Sequence, residues 1–289
     1  MFGVHQGVAL RANQKQFEAW NGGESVHYVD HSDRYDRQLV PFSDALLARG
    51  GLESHHAVLD IGCGCGATTL RAAGLVHRAV GADLSEPLVE IARHRARASG
   101  IANAEFVIAD AQTHRFGAGT FDVIISQFGV MFFDAPMTTF INLRRALAPR
   151  GRAAFVCCQG LQANEWLMVL GRAVAQYVVL PHFGGQAGGP GMFSLCDPSE
   201  ITALLHSAGF GQVECDPLFP TVLVGGGGTL DESIDFLLGM GMARGLVGLA
   251  GPDAHDAVID TVRRELAERY EPNIGVRLGT AAWLVSART

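Results

Sequence analysis

The chain has 289 residues, of which 48% are hydrophobic and 18% are charged. That length suits one large α/β domain, or one domain with a substantial insertion, and the apolar content argues against long disordered segments. The formal net charge of −7 argues against nucleic acid as the main partner, since phosphate binding needs a basic surface. Arg93, Arg95 and Arg97 lie close together, but their spacing does not make one helical face, so we interpret them as solvated.

Cysteine usage and hydropathy indicate the compartment. The chain has six cysteines, whereas a secreted domain held together by disulfides would be shorter and richer in cysteine. Cys63 and Cys65 have no second pair at zinc-like spacing, so we expect buried apolar thiols and no metal. Residues 1–16 lack the apolar core of a signal peptide, and no apolar run reaches membrane-spanning length. We therefore predict a cytoplasmic protein without a membrane partner.

Residues 1–54 combine helical periodicity with many charges, and we predict that they form an N-terminal helical lid. The segment is too poor in apolar residues to be a domain of its own. His27 and His31 are four residues apart and can share a helical face, although no third metal ligand is identifiable. The apolar stripe of the lid consists of Leu39, Phe42, Leu46 and Leu47.

Residues 55–160 alternate between strand and helix patterns. Strands separated by helices indicate a parallel sheet with right-handed crossovers, so this segment is the predicted core. The predicted strands are 57–61, 79–82, 105–109, 121–126 and 152–158.

Residues 161–289 follow a different pattern, with glycine-rich interruptions between apolar segments. We predict that they supply cap helices and the last strands of the sheet. The predicted helices are 161–180, 198–207 and two within 230–270, and the predicted strands are 213–224 and 276–287.

The strongest motif is a buried strand that runs into a glycine-rich turn, with the sequence VLDIGCGCG at 58–66. Glycines allow a tight turn and let backbone N–H groups approach a ligand closely, which is typical of a nucleotide site at the end of the first strand. Gly62, Gly64 and Ala67 also satisfy the relaxed dinucleotide fingerprint. The glycines alone therefore leave two kinds of nucleoside cofactor open.

Three carboxylates favour one of these cofactors. Asp60 precedes the first glycine, where a dinucleotide strand needs no acid. Asp83 ends the second strand and can accept both ribose hydroxyls, while Asp110 ends the third strand and can accept an adenine amino proton.

These segments resemble the class I, Rossmann-like methyltransferases that use S-adenosylmethionine, in particular those acting on small molecules and natural products. The resemblance implies a doubly wound α/β fold with a mostly parallel seven-stranded sheet, its last strand antiparallel, plus N-terminal helices and a helical cap insertion. Residues 213–224 and 276–287 would be strands six and seven. The segments that carry the resemblance, in the family's order, are 58–66, 81–85, 109–111, 121–126 and 147–152.

The resemblance also implies residue roles. The glycines would line the methionine and ribose portion, Asp60 would orient the loop or meet the cofactor's amino group, and Asp83 would bind the ribose. Asp110 and Ala111 would hold the adenine, and strand four would end beneath the sulfonium. The implied cofactor residues are Asp60, Gly62, Gly64, Gly66, Asp83, Leu84, Asp110, Ala111, Ser126 and Gln127.

Residues outside the core can complete the site. Trp20 and Tyr28 can close over the cofactor, since aromatic faces attract a sulfonium cation, or they can simply pack the lid on the core. Glu165 follows strand five and His182 lies in the insertion, so both are candidate acid–base residues. Glu165 can instead be a first-turn acid favoured by the helix dipole, and His182 a surface residue.

The function predicted from the sequence is methyl transfer to an oxygen, nitrogen or carbon of a small, largely apolar metabolite, because Leu, Met, Phe and Val enrich the cap. A homo-oligomer is compatible with the sequence. Two alternatives stay open at this point: an NAD(P)-dependent oxidoreductase that uses the same glycine turn, and a non-catalytic protein that binds S-adenosylmethionine or its demethylated product.

Overall fold

The computed structural model describes residues 13–180 and 189–289. Its helices are α1 (Gln14–Trp20), α2 (Gly23–Asp30), α3 (Ser32–Gly50), α4 (Ala67–Ala73), α5 (Glu86–Ala98), α6 (Pro136–Ala146), α7 (Glu165–Ala175), α8 (Pro198–Ser207), α9 (Leu230–Gly239), α10 (Gly241–Gly248) and α11 (His255–Ala267). Its strands are β1 (Ala57–Ile61), β2 (Arg78–Asp83), β3 (Ala104–Ile108), β4 (Phe121–Gln127), β5 (Leu147–Cys158), β6 (Gly211–Leu218), β7 (Thr221–Leu223), β8 (Tyr270–Glu271), β9 (Gly275–Gly279) and β10 (Ala282–Arg288).

The main sheet has seven strands in the order β3-β2-β1-β4-β5-β10-β6. Strands β1 to β5 pair in parallel, and β10 runs antiparallel to both of its neighbours. In β1 only Ala57 is partly exposed, which is typical of a parallel strand covered on both faces. The predicted doubly wound α/β fold is confirmed, and the strand order reverses between β1 and β4, where such sheets bind ligands.

The two strands predicted from the C-terminal half are each divided. β6 and β10 join the main sheet, whereas β7 and β9 pair in a separate three-stranded sheet with β8. Pro220 has no N–H to donate to a ladder, and its carbonyl instead accepts bonds from the N–H and the hydroxyl of Thr280, at 3.0 and 2.8 Å. The pairing of β6 with β10 and the pairing of β7 with β9 are therefore separated at the point where Pro220 and Thr280 meet.

The helices of the cap enclose a second hydrophobic core. The residues predicted to hold two helices form three, α9, α10 and α11, because Met240 has an extended backbone (φ −66°, ψ 139°) that separates the first two. The predicted helix over 161–180 is shorter, since its α-helical part is α7. This core includes Leu170, Phe236, Leu246, Val262 and Val276, each at most 3% exposed.

No helix in the described part of the chain combines the length and the hydrophobicity that a membrane crossing requires. The lid residues form α1, α2 and α3, and the longest of these, α3, packs on β4, β5 and β10. Phe42 and Leu46, from the predicted apolar stripe, are at most 3% exposed. The cysteines of the glycine-rich turn, Cys63 and Cys65, are buried free thiols.

Candidate cofactor and substrate site

A cavity of about 750 Å³ opens at the carboxyl ends of β1, β2, β3 and β4, beneath the N-terminal helices and the cap. A smaller cavity of about 310 Å³ lies on the other side of the glycine-rich turn and is lined by Asp60. Tyr28, Gly62, Gly64 and Gln127 line both cavities. The predicted cofactor residues that line the larger cavity are Trp20, Tyr28, Gly62, Gly64, Asp83, Leu84, Asp110, Ala111 and Gln127.

The glycine-rich turn is held against β4 by a close backbone approach. Gly62 has φ +67°, and a Cβ atom on it would lie 2.8 Å from the Cα of Gly129, so no side chain fits there. Ser126 is fully buried, and its hydroxyl donates to the carbonyl of Ile61 at 2.7 Å. Ser126 therefore joins the ends of β1 and β4 and lines neither described cavity, so the structure does not bring it together with the cavity-lining cofactor candidates.

Gly66 also has a structural position. Its φ is +85°, and a Cβ atom would lie 2.8 Å from the Cβ of Ala92 and 2.9 Å from the ring of Phe106. The missing side chain thus lets α5 and β3 pack on the turn. Gly66 lines neither described cavity, so the structure separates it from Gly62 and Gly64.

Asp60 is the most deeply buried acid of the site, with 1% of its surface exposed. The hydroxyl of Thr69 donates to its Oδ2 atom at 2.6 Å, whereas Oδ1 has no hydrogen-bond partner among the described residues. The pKa of Asp60 is raised from 3.8 to about 7, mainly by burial and to a smaller extent by nearby Asp83, against the lowering effect of the Thr69 bond. A buried, unpartnered carboxylate oxygen beside a cavity favours a cationic donor.

Asp83 shapes the turn and still has acceptor capacity. Its Oδ2 accepts the N–H of Gly64 at 2.8 Å, and its Oδ1 accepts the N–H of Ser85 at 2.8 Å. Burial raises the pKa of Asp83, and these backbone bonds oppose that rise. A carboxylate has about four lone-pair sites, so Asp83 keeps acceptor capacity for a hydroxyl donor beyond its backbone bonds from Gly64, Ser85 and Leu84.

Asp110 lines the cavity at the end of β3, where its Oδ1 accepts the N–H of Gln112 at 3.0 Å. Burial raises the pKa of Asp110, and its bonds to Gln112 oppose this. Asp83 and Asp110 therefore meet at one edge of the sheet, as the strand ends predict.

Trp20 and Tyr28, on the N-terminal helices α1 and α2, line the cavity. Their rings meet edge to face at 6.3 Å, and Trp20 also meets Phe132 edge to face at 5.6 Å. The Trp20 carbonyl accepts the hydroxyl of Ser85 at 2.6 Å, and the side chain of Asn21 accepts the N–H of Glu86 at 2.9 Å. The end of α1 is thereby fixed to the turn that follows Asp83.

Glu165, one of the two acid–base candidates, does not join this group. Glu165 accepts a bond from Arg269 at 2.7 Å with one oxygen and from the N–H of Gly279 at 2.8 Å with the other. Burial alone would raise the pKa of Glu165, but these bonds outweigh it and lower the pKa. Glu165 does not line the cavity and instead ties α7 to β9, whereas its neighbour Trp166 does line it. His182 lies outside the described residues.

Beyond the cofactor residues the cavity continues as an apolar chamber between the lid and the cap. None of its described lining residues is Arg or Lys. The sequence did not predict that further polar residues line this cavity, and for Asn164 its position after a strand end was the available signal. These residues are Asn13, Gln16, Glu24, His27, Tyr35 and Gln38 within the N-terminal segment, Asn164 after β5 and Thr280 before β10. The apolar wall includes Phe42, Met131, Phe133, Trp166, Met240 and Leu246.

A family model described as a methyltransferase domain matches residues 58–151. Those residues are therefore similar in sequence to a methyltransferase domain. The segment holds the glycine-rich turn, Asp83 and Asp110, so the family resemblance seen in the motifs is confirmed.

Two curated relatives are similar over part of the chain. Aklanonic acid methyltransferase DauC of Streptomyces sp. (strain C5) is 35% identical over 125 residues, which are 41% of this chain and 52% of the relative. The uncharacterized methyltransferase YcgJ of Bacillus subtilis (strain 168) is 30% identical over 103 residues, which are 36% of this chain and 41% of the relative. The matches thus span about half the length of these relatives or less.

Solved structures share the fold at low sequence identity. The crystal structure of YcgJ from Bacillus subtilis superposes with a TM-score of 0.57 at 18% identity, covering 86% of this chain and 97% of that one. A phosphoethanolamine N-methyltransferase 2 of Haemonchus contortus, in complex with phosphomonomethylethanolamine and S-adenosylhomocysteine, has a TM-score of 0.53 at 18% identity and covers 86% and 52%.

Proposed function

We propose that this protein transfers a methyl group from S-adenosylmethionine to an oxygen, nitrogen or carbon atom of a small, largely apolar molecule. The observation that carries the proposal is the convergence of Asp60, Asp83 and Asp110 around the glycine-rich turn. These three acids match the amino group, the ribose hydroxyls and the adenine amino group of one nucleoside. A dinucleotide gives the unpartnered Oδ1 of Asp60 no cationic donor.

When bound, the cofactor supplies an electrophilic methyl sulfonium, and the task of the chain is to position and enclose it. Asp60 binds the amino group from the smaller cavity, and Asp83 accepts the ribose hydroxyls with the lone pairs that its backbone bonds leave free. Trp20 and Tyr28 exclude water from above and present aromatic faces to the cation. Correct alignment of the two reactants can lower the activation free energy by about 7–11 kcal/mol.

The chamber supports an apolar acceptor without phosphate. A phosphate dianion in a buried site needs cationic partners, and the described lining of the chamber contains neither Arg nor Lys. The Haemonchus structure holds a phosphorylated amine, whereas the Streptomyces relative is named for an organic acid. An aromatic, polyketide-like or lipid-like acceptor fits this lining better than a phosphorylated amine, and a role in natural-product biosynthesis is part of the proposal.

The proposal extends to the organisation of the chain. Residues 1–54 serve as the lid, 55–160 as the cofactor-binding core, and 161–289 as the cap with the strands that complete the sheet. We place the reaction in the cytoplasm, with a small molecule as the partner and no nucleic acid.

Two measurements test the proposal. Isothermal titration calorimetry with S-adenosylmethionine, S-adenosylhomocysteine and NADH should show binding of the first two, and tight binding of NADH alone would favour an oxidoreductase. Transfer of tritium from methyl-labelled cofactor to a panel of apolar phenols, carboxylic acids and amines should identify the acceptor class. Cofactor binding without transfer to any member of the panel would favour a non-catalytic binding protein.

A further inference from the structure

A pair of polar side chains lies in the chamber without any role in the cofactor site. Nδ1 of His27, on α2, is 3.0 Å from the hydroxyl oxygen of Tyr35, on α3. Both residues line the chamber. The ring of Tyr35 stacks on Tyr28 at 4.1 Å between centroids, and Tyr28 in turn reaches the glycine-rich turn at Gly64. Tyr35 is therefore one aromatic layer away from the cofactor residues.

The hydrogen-bond partners decide which atom of the pair carries the shared proton. Nε2 of His27 is buried and has no partner among the described residues, and it lies against the backbone of Gly239. A buried N–H group without an acceptor is rarer than a buried acceptor without a donor. This comparison favours the tautomer that carries its proton on Nδ1 and donates it to the oxygen of Tyr35.

The charge state of His27 agrees with this assignment. The pKa of His27 is lowered from 6.5 to about 4, mainly by burial and then by the neighbouring His31 and Arg244. At neutral pH the ring is uncharged and holds a single proton. His27 thus acts as a fixed donor to Tyr35.

Because its oxygen accepts from His27, the hydroxyl proton of Tyr35 has to point elsewhere. A tyrosine hydroxyl has one donor proton, and in the described part of the chain the only hydrogen-bond partner of this hydroxyl is His27, which acts as the donor. The rings of Tyr28 and Phe236 pack on the ring of Tyr35 at 4.1 and 4.8 Å, and the charges of Glu24 and Arg244 act on Tyr35 without a hydrogen bond to it. The remaining direction is the chamber.

We propose that Tyr35, oriented by His27, donates a hydrogen bond to an oxygen atom of the methyl acceptor and selects apolar ring compounds that carry a carbonyl, phenol or carboxyl oxygen. This inference rests on the proposed function, since it names the acceptor of that site. Tyr35 is a specificity-determining residue that holds the acceptor in register, and His27 is a positioning residue that acts through it.

The test compares two ligands that differ by one carbonyl group, 1-tetralone and its parent hydrocarbon tetralin. Binding is measured by quenching of tryptophan fluorescence, because Trp20 and Trp166 line the chamber. In Tyr35→Phe, which removes only the hydroxyl, we expect the Kd for 1-tetralone to rise about three- to tenfold while the Kd for tetralin stays unchanged. Tyr177→Phe, at an exposed position outside the chamber, is the matched control and should change neither value.

Variants of His27 separate positioning from packing. His27→Asn keeps a donor near the place of Nδ1 and should preserve the preference for 1-tetralone, whereas His27→Leu should reduce it. Equal weakening for both ligands in Tyr35→Phe, no change for either, or no binding of 1-tetralone by the unmodified protein would each overturn the inference. These titrations need no cofactor, so they are distinguishable from a failure to bind S-adenosylmethionine, which would count against the proposed function instead.

Discussion

The buried acid Asp60 offers the sharpest check of the cofactor site, because its ionisation should control binding. With a pKa of about 7, its ionised fraction rises from about 0.1 at pH 6 to about 0.9 at pH 8. Only the ionised form attracts a cationic amino group, and an apparent Kd scales inversely with the competent fraction. We expect the affinity for S-adenosylmethionine to increase about tenfold between pH 6 and pH 8.

The variant Asp60→Asn isolates this effect. An asparagine oxygen can still accept the bond from Thr69, so the local packing is kept while the charge is removed. We expect weaker cofactor binding that no longer depends on pH in this range, as measured by isothermal titration calorimetry. His27 titrates well below this range, so its ionisation does not mimic the effect. A flat profile in the unmodified protein, or the same slope in Asp60→Asn, would refute the reasoning.

The raised pKa of Asp60 also predicts how the stability of the protein depends on pH. A carboxyl whose pKa is raised on folding holds its proton more tightly in the folded protein, so the folded state loses free energy of unfolding as pH rises from about 4 to about 7. The rise of the pKa from 3.8 to about 7 corresponds to roughly 4 kcal/mol at pH 8. Without ligand, Asp60→Asn should therefore melt several degrees higher than the unmodified protein at pH 8, and no higher at pH 4.

Three further variants check single contacts. Asp83→Ala removes the acceptor of Gly64 and of the ribose hydroxyls and should raise the Kd for S-adenosylmethionine at least tenfold in calorimetry; an unchanged Kd would refute the ribose assignment. Gly66→Ala places a methyl group 2.8 Å from Ala92 at a positive φ and should lower the free energy of unfolding by about 2 kcal/mol or more in urea. Glu165→Gln should cost about 1–3 kcal/mol of stability and leave the initial rate of methyl transfer unchanged. A loss of rate without a loss of stability would restore Glu165 as an acid–base residue.

The sequence predicts the core of this fold because that core depends on local patterns. Buried apolar strands, the glycine-rich turn and the acids at strand ends are each determined by a few neighbouring residues, and parallel strand ends must meet at one edge. The positions of Asp83 and Asp110 in the cavity follow from this rule. The division of the two C-terminal strands was harder to predict from the sequence. Both strands are interrupted where Pro220 contacts Thr280, and these residues are 60 positions apart.

The remaining differences between the sequence analysis and the structure concern side chains whose partners are distant along the chain. Glu165 has the sequence context of a pocket residue, yet Arg269 and Gly279 hold its carboxylate, 104 and 114 positions away. Tyr35 belongs to a charged helix, and only the arrangement of the cap turns it into a chamber residue. Hydrophobic periodicity gives the buried face of a helix, but it does not give the partner across that face.

Arg95 shows how such a distant contact connects the lid to the cofactor loop. The spacing of the arginines on α5 predicted a solvated side chain, but Arg95 is only 18% exposed and donates to Asp36 at 2.8 Å and to the carbonyl of Cys65 at 3.2 Å. It also pairs with Asp33 on the same lid helix. One guanidinium thus joins the first turns of α3 to the glycine-rich turn, and its planar array of donors makes this possible where a lysine could not span both. Because α3 also carries Tyr35, the position of the acceptor chamber depends on the same residues that hold the cofactor loop.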